Sequence, residues 1–372
     1  MLHPSLFYRD LSLRYIRDPR LGHRLGRNYP DGKHVDETWG YLWLGTNGNG
    51  FYGHDEIVPW GPPKDDVLRV MLLGGSAAMG LGASRRGETI RDHLLGFLSA
   101  SAKRPVEVLN CAVGDYASSQ SLIYFVTELI ELEPHIVVAL DGWNDFAHAA
   151  WGTKYSNGRW LANSTRSFDD NLEAVLMWDG SLSEETLREL KRRRSPRAIR
   201  RQRNKQVRSE EATPFARSSH GFVWDNPAEW SVRREAVDWY LRNVHTLAAI
   251  CASQERKLLQ VLQPAMVWPT ANARAGAEQK VLEVFNERMP RLADLAAEHY
   301  DQLAPRFDAL QMALQEREFA GKPDNIAVCD GSQWLLARTD DCYFDPMHFN
   351  DRGQREVAIL LFAEIDKRGW LQ

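Results

Sequence analysis

The chain has 372 residues, 44% of them hydrophobic and 26% charged. That globular mixture is long enough for two or three domains, or one with large insertions, and excludes a disordered, collagenous or disulfide-scaffold protein. With 46 basic and 50 acidic residues the net charge is -4, which excludes a generally basic nucleic-acid-binding surface.

Residues 1–66 are rich in aromatics, Gly and Asp, with a short strand expected at 41–44 and turns at Asn47-Gly48 and Asn49-Gly50. They read as an extension packed on a core. From Val67 the rhythm is cleaner. An apolar run at 67–73 ends in Gly74-Gly75, and Ile90, Leu94, Phe97 and Leu98 then fall at helical spacing. A second strand at 106–113 ends at Gly114, and a helix over 118–132 places Leu122, Phe125, Val126 and Leu129 on one face. A third strand at 135–140 precedes Asp141-Gly142. After an interruption come a helix near 232–253, a strand at 257–262, one or two helices within 276–318 and a strand at 326–329. A last helix runs through Val357, Leu360, Leu361 and Ile365, with Asn350 or Asp351 as its N-cap. Strands that alternate with helices and read as continuous apolar runs imply βαβ units and a parallel sheet covered on both faces. The organisation expected is an extension over 1–66, a catalytic domain made of 67–146 and 232–372, and an insertion over 147–231.

The four cysteines show no CxxC spacing, so no zinc or other metal site is expected. Gly80 and Gly82 begin a glycine pattern, but a dinucleotide fingerprint would need its third glycine at Arg85, and no GK[ST] follows. No cofactor is expected. The N-terminus lacks the apolar stretch of a signal peptide, and no run approaches the ~20 apolar residues of a membrane span, so a soluble, cytoplasmic protein is expected.

In an open α/β sheet, ligands bind beyond the carboxyl ends of the strands. The first three strands end in Gly74-Gly75-Ser76, in Asn110-Cys111-Ala112-Val113-Gly114 and in Asp141-Gly142-Trp143-Asn144-Asp145, and Asp345-Pro346-Met347-His348 precedes the last helix. These residue types are the parts of nucleophilic acyl transfer. A serine hydroxyl needs a base, and His348 can be that base for Ser76, with Asp345 holding the imidazole in the required tautomer. The backbone N–H groups of Ser76 and Gly114 and the side-chain amide of Asn144 can form an oxyanion hole. Each residue also has a bland alternative: Ser76 and Asn144 as helix caps, His348 as a core or surface histidine, Asp345-Pro346 as a turn.

GGSAAMG, NCAVGDYASSQ, DGWND and DPMH, in that order, resemble the four blocks of the SGNH (GDSL-type) hydrolases. TNGNGFYG resembles the N-terminal portion of a bacterial subgroup with an extension before the serine block. The resemblance places that family's Ser, Gly, Asn and His on Ser76, Gly114, Asn144 and His348, and its DxxH aspartate on Asp345. Gly75 stands where the family's namesake has aspartate, and Asp115 stands where many relatives have a further glycine. The resemblance implies a three-layer α/β/α sandwich with a five-stranded parallel, flavodoxin-like sheet. It also implies a serine esterase that removes a small, acetyl-like O-acyl group from a carbohydrate or other polar metabolite through an acyl-serine intermediate. An O-acyltransferase would use the same residues. A non-catalytic module binding an anionic polymer is the alternative of another class.

The interruption over 147–231 carries five tryptophans and a basic run at 187–208, in which eleven Lys and Arg meet one acid. The run reads as a solvated segment, with recruitment of an anionic partner as its alternative and nucleic acid not favoured. The tryptophans read either as a clamp or as a substrate wall. Trp143, Trp151 and Tyr155 are the expected rim of the substrate pocket.

Overall fold

The computed structural model describes residues 15–18, 20–29, 31–33, 42–54, 57–150, 234–269, 276–288, 291–316, 323–335 and 341–372. The chain divides into two compact units, Met1–Arg24 with Arg159–Asn226 and Leu25–Gly158 with Pro227–Gln372. Strands β1 (Tyr15–Asp18) and β2 (Gly22–Leu25), the second ending at the boundary between the units, form a two-stranded sheet. Buried Asp18 closes the turn between them by accepting from the N–H groups of Arg20 and Leu21 at 2.8 and 3.0 Å. The basic run 187–208 lies outside the described residues.

The second unit opens with β3 (Gly32–Lys33) paired antiparallel to β4 (Leu42–Trp43). The NGNG segment that follows is a tight turn closed by a bridge between Thr46 and Tyr52. The Asn47 side chain accepts from the N–H groups of Asn49 and Phe51, at 2.9 and 3.0 Å, as turn asparagines do.

The core elements then run β5 (Leu68–Gly74), α1 (Ser76–Met79), α2 (Ile90–Ser101), β6 (Val106–Asn110), α3 (Ser118–Thr127), β7 (Ile136–Asp141), α4 (Trp143–Ala150), α5 (Arg234–Ser253), β8 (Lys257–Leu262), α6 (Gly276–Arg288), α7 (Leu292–Glu316), β9 (Ile326–Asp330) and α8 (Asp351–Asp366). The sheet order is β6-β5-β7-β8-β9 and every pairing is parallel. Counted along the core, that is 2-1-3-4-5, the flavodoxin-like order. Helices α2 and α8 pack together on one face, while α3 and α7 both pack on α5 across the other. The fold is therefore the expected three-layer α/β/α sandwich. β5 and β7 are buried along their whole length, as strands covered on both faces must be.

Two expected elements differ in extent. The second strand stops at Asn110, although the N–H groups of Cys111 and Val113 still donate to Leu72 and Gly74 and carry the chain along β5. The helix expected over 118–132 breaks at Glu128, whose φ of −141° leaves the helical region, and a 3₁₀ turn, Leu129–Leu132, completes it. Asn350 is the N-cap of α8, its side chain accepting from Gly353 N–H at 3.0 Å. Among the described residues no helix is long and apolar enough to cross a membrane.

Candidate active site

The carboxyl edge of the sheet is where the strand order reverses, because β6 and β7 leave β5 in opposite directions. β5 ends at Gly74, with φ of +143°, and a Cβ there would sit 2.1 Å from the Leu140 carbonyl oxygen of the neighbouring strand. Only glycine fits that approach. The chain then turns into α1, a single helical turn capped by Gly75. Ser76 is thus the first residue inside the helix and not its cap, so its own N–H stands outside the helical ladder.

His348 and Asp345 arrive from the other end of the chain. Asp345 Oδ1 accepts from the N–H groups of Met347 and His348, both at 2.8 Å, and folds DPMH into a tight loop. The segment leaving β8 fixes this loop from outside. Met266 N–H donates to the Pro346 carbonyl at 2.8 Å, and the Gln263 amide to the Met347 carbonyl at 2.9 Å. Asp345 Oδ2 lies 2.6 Å from His348 Nδ1, and His348 Nε2 lies 2.7 Å from Ser76 Oγ. Burial pushes the Asp345 carboxyl up. The adjacent His348 and the two backbone amides outweigh this, so it ends below the usual carboxylate value. An ionised Asp345 makes Nδ1 the donor, which leaves Nε2 to accept the serine proton. The His348 and Asp345 side chains are 14% and 17% exposed, so water touches the pair without surrounding it.

Asn144 sits in the first turn of α4, whose first residue is Trp143, so it is not the cap of that helix either. Its Nδ2 donates to the Tyr116 carbonyl at 2.9 Å. A side-chain amide carries two hydrogens, so one remains. The same Nδ2 would lie 2.5 Å from a Cβ placed on Gly75. Any side chain at 75 would therefore press on the Asn144 amide. The 113–116 segment, which contains Gly114, bridges the serine turn and the asparagine, with Val113 bonded to Gly74 and Tyr116 to Asn144. Asp115 has a φ of +69°, a left-handed conformation that glycine adopts freely and aspartate tolerates.

The structure thus brings Ser76, Asp345 and His348 together and ties Asn144 to the segment carrying Gly114. It does not put Trp143 on a pocket rim. Trp143 is 3% exposed, with its ring edge-on to Phe146 and Trp268 at 5.3 and 5.6 Å. An indole buried between two aromatic rings is core packing, and this corrects the sequence expectation. Trp151 and Tyr155 lie outside the described residues. Among the described residues no group of three or more His, Cys, Asp or Glu could hold a metal ion.

Two supporting networks escape the sequence reasoning. Asn110, fully buried at the end of β6, donates through Nδ2 to the carbonyls of Met79 in α1 and Tyr52 in the NGNG turn, at 2.9 and 3.2 Å. Its N–H donates to His54 Nε2 at 3.0 Å. Burial first, then the charge of Arg91, lowers the His54 pKa to about 3, so that ring stays neutral. Below α4, Asp141 is buried and accepts from the Gln260 amide at 2.8 Å, and Asp145 accepts from the N–H and hydroxyl of Ser118 at 2.9 and 2.5 Å. Burial and then the nearby Asp145 raise the Asp141 pKa well above the carboxylate range. The sequence signal was present: each of the apolar runs IVVALD and LLQVL carries one polar residue with no surface to face.

No family model matches the chain, and no curated protein matches its sequence. Solved structures do align with it. A Bacteroides fragilis protein described as an acylhydrolase is 13% identical, with a TM-score of 0.41 over 84% of this chain and 91% of that one. A GDSL-like lipase of Bacteroides thetaiotaomicron is 12% identical, with a TM-score of 0.37 over 81% and 88%. A variant of an acetyl-xylooligosaccharide esterase from Geobacillus is 10% identical, with a TM-score of 0.39 over 80% and 93%. The fold assignment rests on the strand order itself, and the chemistry on the geometry of the site.

Proposed function

We propose that the chain is a serine hydrolase of the SGNH type that cleaves a small O-acyl ester through an acyl-serine intermediate. The observation that carries this reading is the continuous series from Asp345 through His348 to Ser76, with steps of 2.6 and 2.7 Å. Two ends of the chain, 272 residues apart, meet in the order acid, base, nucleophile. His348 Nε2 takes the proton of Ser76 as Oγ attacks the ester carbonyl, and Asp345 stabilises the imidazolium. The carbonyl oxygen becomes negative and is met by the second hydrogen of Asn144 and by the N–H groups of Ser76 and Gly114. His348 returns the proton to the leaving alcohol and then activates the water that frees the serine. Acetyl-like groups on a carbohydrate or similar polar carrier are the substrate class that the motif resemblance implies.

The test is reaction with a fluorophosphonate probe, followed by mapping of the modified residue. Labelling at Ser76, and none in Ser76→Ala, is expected. Folded protein that takes no label, or takes it elsewhere, would overturn the reading. Product analysis with and without an added alcohol separates hydrolysis from transfer to an acceptor.

A further inference from the structure

Ser76 and His348 belong to elements far apart in sequence, so something must set the distance between them. The loop after α1 lies along the loop before α8 in a seam of three contacts. At its centre is Gln354, in the first turns of α8 and 0% exposed. Its Nε2 donates to the Leu81 carbonyl at 3.2 Å and to the Phe349 carbonyl at 3.1 Å. Its Oε1 accepts from the N–H of Ile90, the first residue of α2, at 3.1 Å. Next to it the backbones approach so closely that a Cβ on Gly82 would lie 2.4 Å from the Phe349 carbonyl oxygen. At the exposed end, the Ser84 N–H and hydroxyl donate to the two carboxylate oxygens of Asp351 at 2.6 and 2.5 Å.

The seam reaches the reacting groups in one step on each side. Leu81 N–H donates to the carbonyl of Ser76 itself at 3.0 Å. Phe349 is the residue after His348, whose own carbonyl accepts from Phe344 N–H at 2.8 Å. The carboxamide of Gln354 therefore spans Leu81, whose N–H bonds the serine carbonyl, and Phe349, the residue after the histidine. A glutamine can donate twice and accept twice, so three of its four valences are used here. An apolar side chain of the same length would leave two carbonyls and one N–H buried without a partner, and that cost would drive the two loops apart.

We propose that Gln354 is a positioning residue that sets the separation of Ser76 Oγ and His348 Nε2 by clamping the loop after α1 to the loop before α8. This rests on the serine-hydrolase reading above. A misplacement of about 1 Å at a reacting pair costs on the order of 10² in rate, so the clamp acts on chemistry more than on substrate binding.

The test compares wild type with Gln354→Met, which keeps the length and loses the polar atoms. Three quantities are measured well below the melting temperature: kcat and KM for p-nitrophenyl acetate, and the rate of fluorophosphonate labelling at Ser76. A fall of roughly 10² in kcat and in labelling rate, with KM within about twofold, is expected. Equal labelling rates and kcat in wild type and a folded Gln354→Met would overturn the proposal alone, even with a lower melting temperature. Wild type that takes no label would overturn the serine-hydrolase reading and this proposal with it. Should Gln354→Met fail to fold, Gln354→Glu takes its place, keeping the length and the acceptor and losing the donors to Leu81 and Phe349. A loss confined to kcat supports the clamp, and an unchanged kcat in that variant overturns it.

Discussion

Two turns at the carboxyl edge are built on the same spacing and shift their aspartates in opposite directions. In DPMH, Asp345 stands three residues before His348, and in DGWN, Asp141 stands three residues before Asn144. Both aspartates are buried or nearly so. Asp345 faces an imidazole and two backbone amides and is held below the usual carboxylate value. Asp141 meets the Gln260 amide and the Tyr240 hydroxyl, but also the carboxylate of Asp145, and is raised well above it. Burial acts in the same direction on both, so the neighbours decide the outcome. In the proposed mechanism the aspartate held low fixes a base, and the one pushed up fills the floor under an amide donor.

Replacing each aspartate by asparagine separates these roles. Asp345→Asn removes the acceptor that selects the Nδ1–H tautomer. The expected loss in kcat is up to roughly 10⁴, the size found when a serine-protease triad aspartate is so replaced. Steady-state kinetics on an activated acetate ester checks it, and an unchanged kcat would reduce Asp345 to a turn residue.

The residues that the two turns present can be compared next. In the proposed mechanism Asn144 acts on an oxygen that carries charge only in the transition state, so Asn144→Ala should lower kcat by roughly 10²–10³, about 2.7–4 kcal/mol, with KM little changed. Asn144→Asp should be at least as damaging, because a carboxylate would face the oxyanion. Full activity in the Asp variant would remove Asn144 from the mechanism.

The smallest effect is expected at Asp141. A neutral carboxylic acid and an asparagine have nearly the same shape and hydrogen bonds, so Asp141→Asn should keep kcat at neutral pH within a few-fold. Its mark is on stability. In the unfolded chain Asp141 loses its proton near pH ~4, whereas the folded protein retains it. The folded state then binds more protons, so wild-type stability falls as pH rises from about 4, until the folded Asp141 itself ionises. Asp141→Asn removes that slope. Melting temperatures measured from pH 4 to 9 should therefore run flatter in the variant, and parallel curves would mean that Asp141 is ionised in the fold.

The amino-acid sequence by itself determined the strand and helix alternation, the parallel sheet and the residue types at each strand end. These are local properties: a continuous apolar run, a helical spacing, a glycine at a turn. It also set Ser76, Gly114 and Asn144 just beyond successive strand ends, which a parallel sheet delivers to the same side. Only the tertiary structure decided the rest. Trp143 follows a strand end like the site residues do, yet neighbours from α4 and the segment after β8 turn its ring into the core. Asp141 and Asp345 carry their charged neighbours, Asp145 and His348, within four residues, but only the fold sets how deeply each is buried and which amides reach it. Gln354 reads as an unremarkable polar residue in an amphipathic helix until α8 meets the loop after α1. The separation of Ser76 and His348 depends on segments that the chain brings together from 272 residues away, and the charge states depend on how deeply each aspartate is buried as well as on its near neighbours, which no local pattern records.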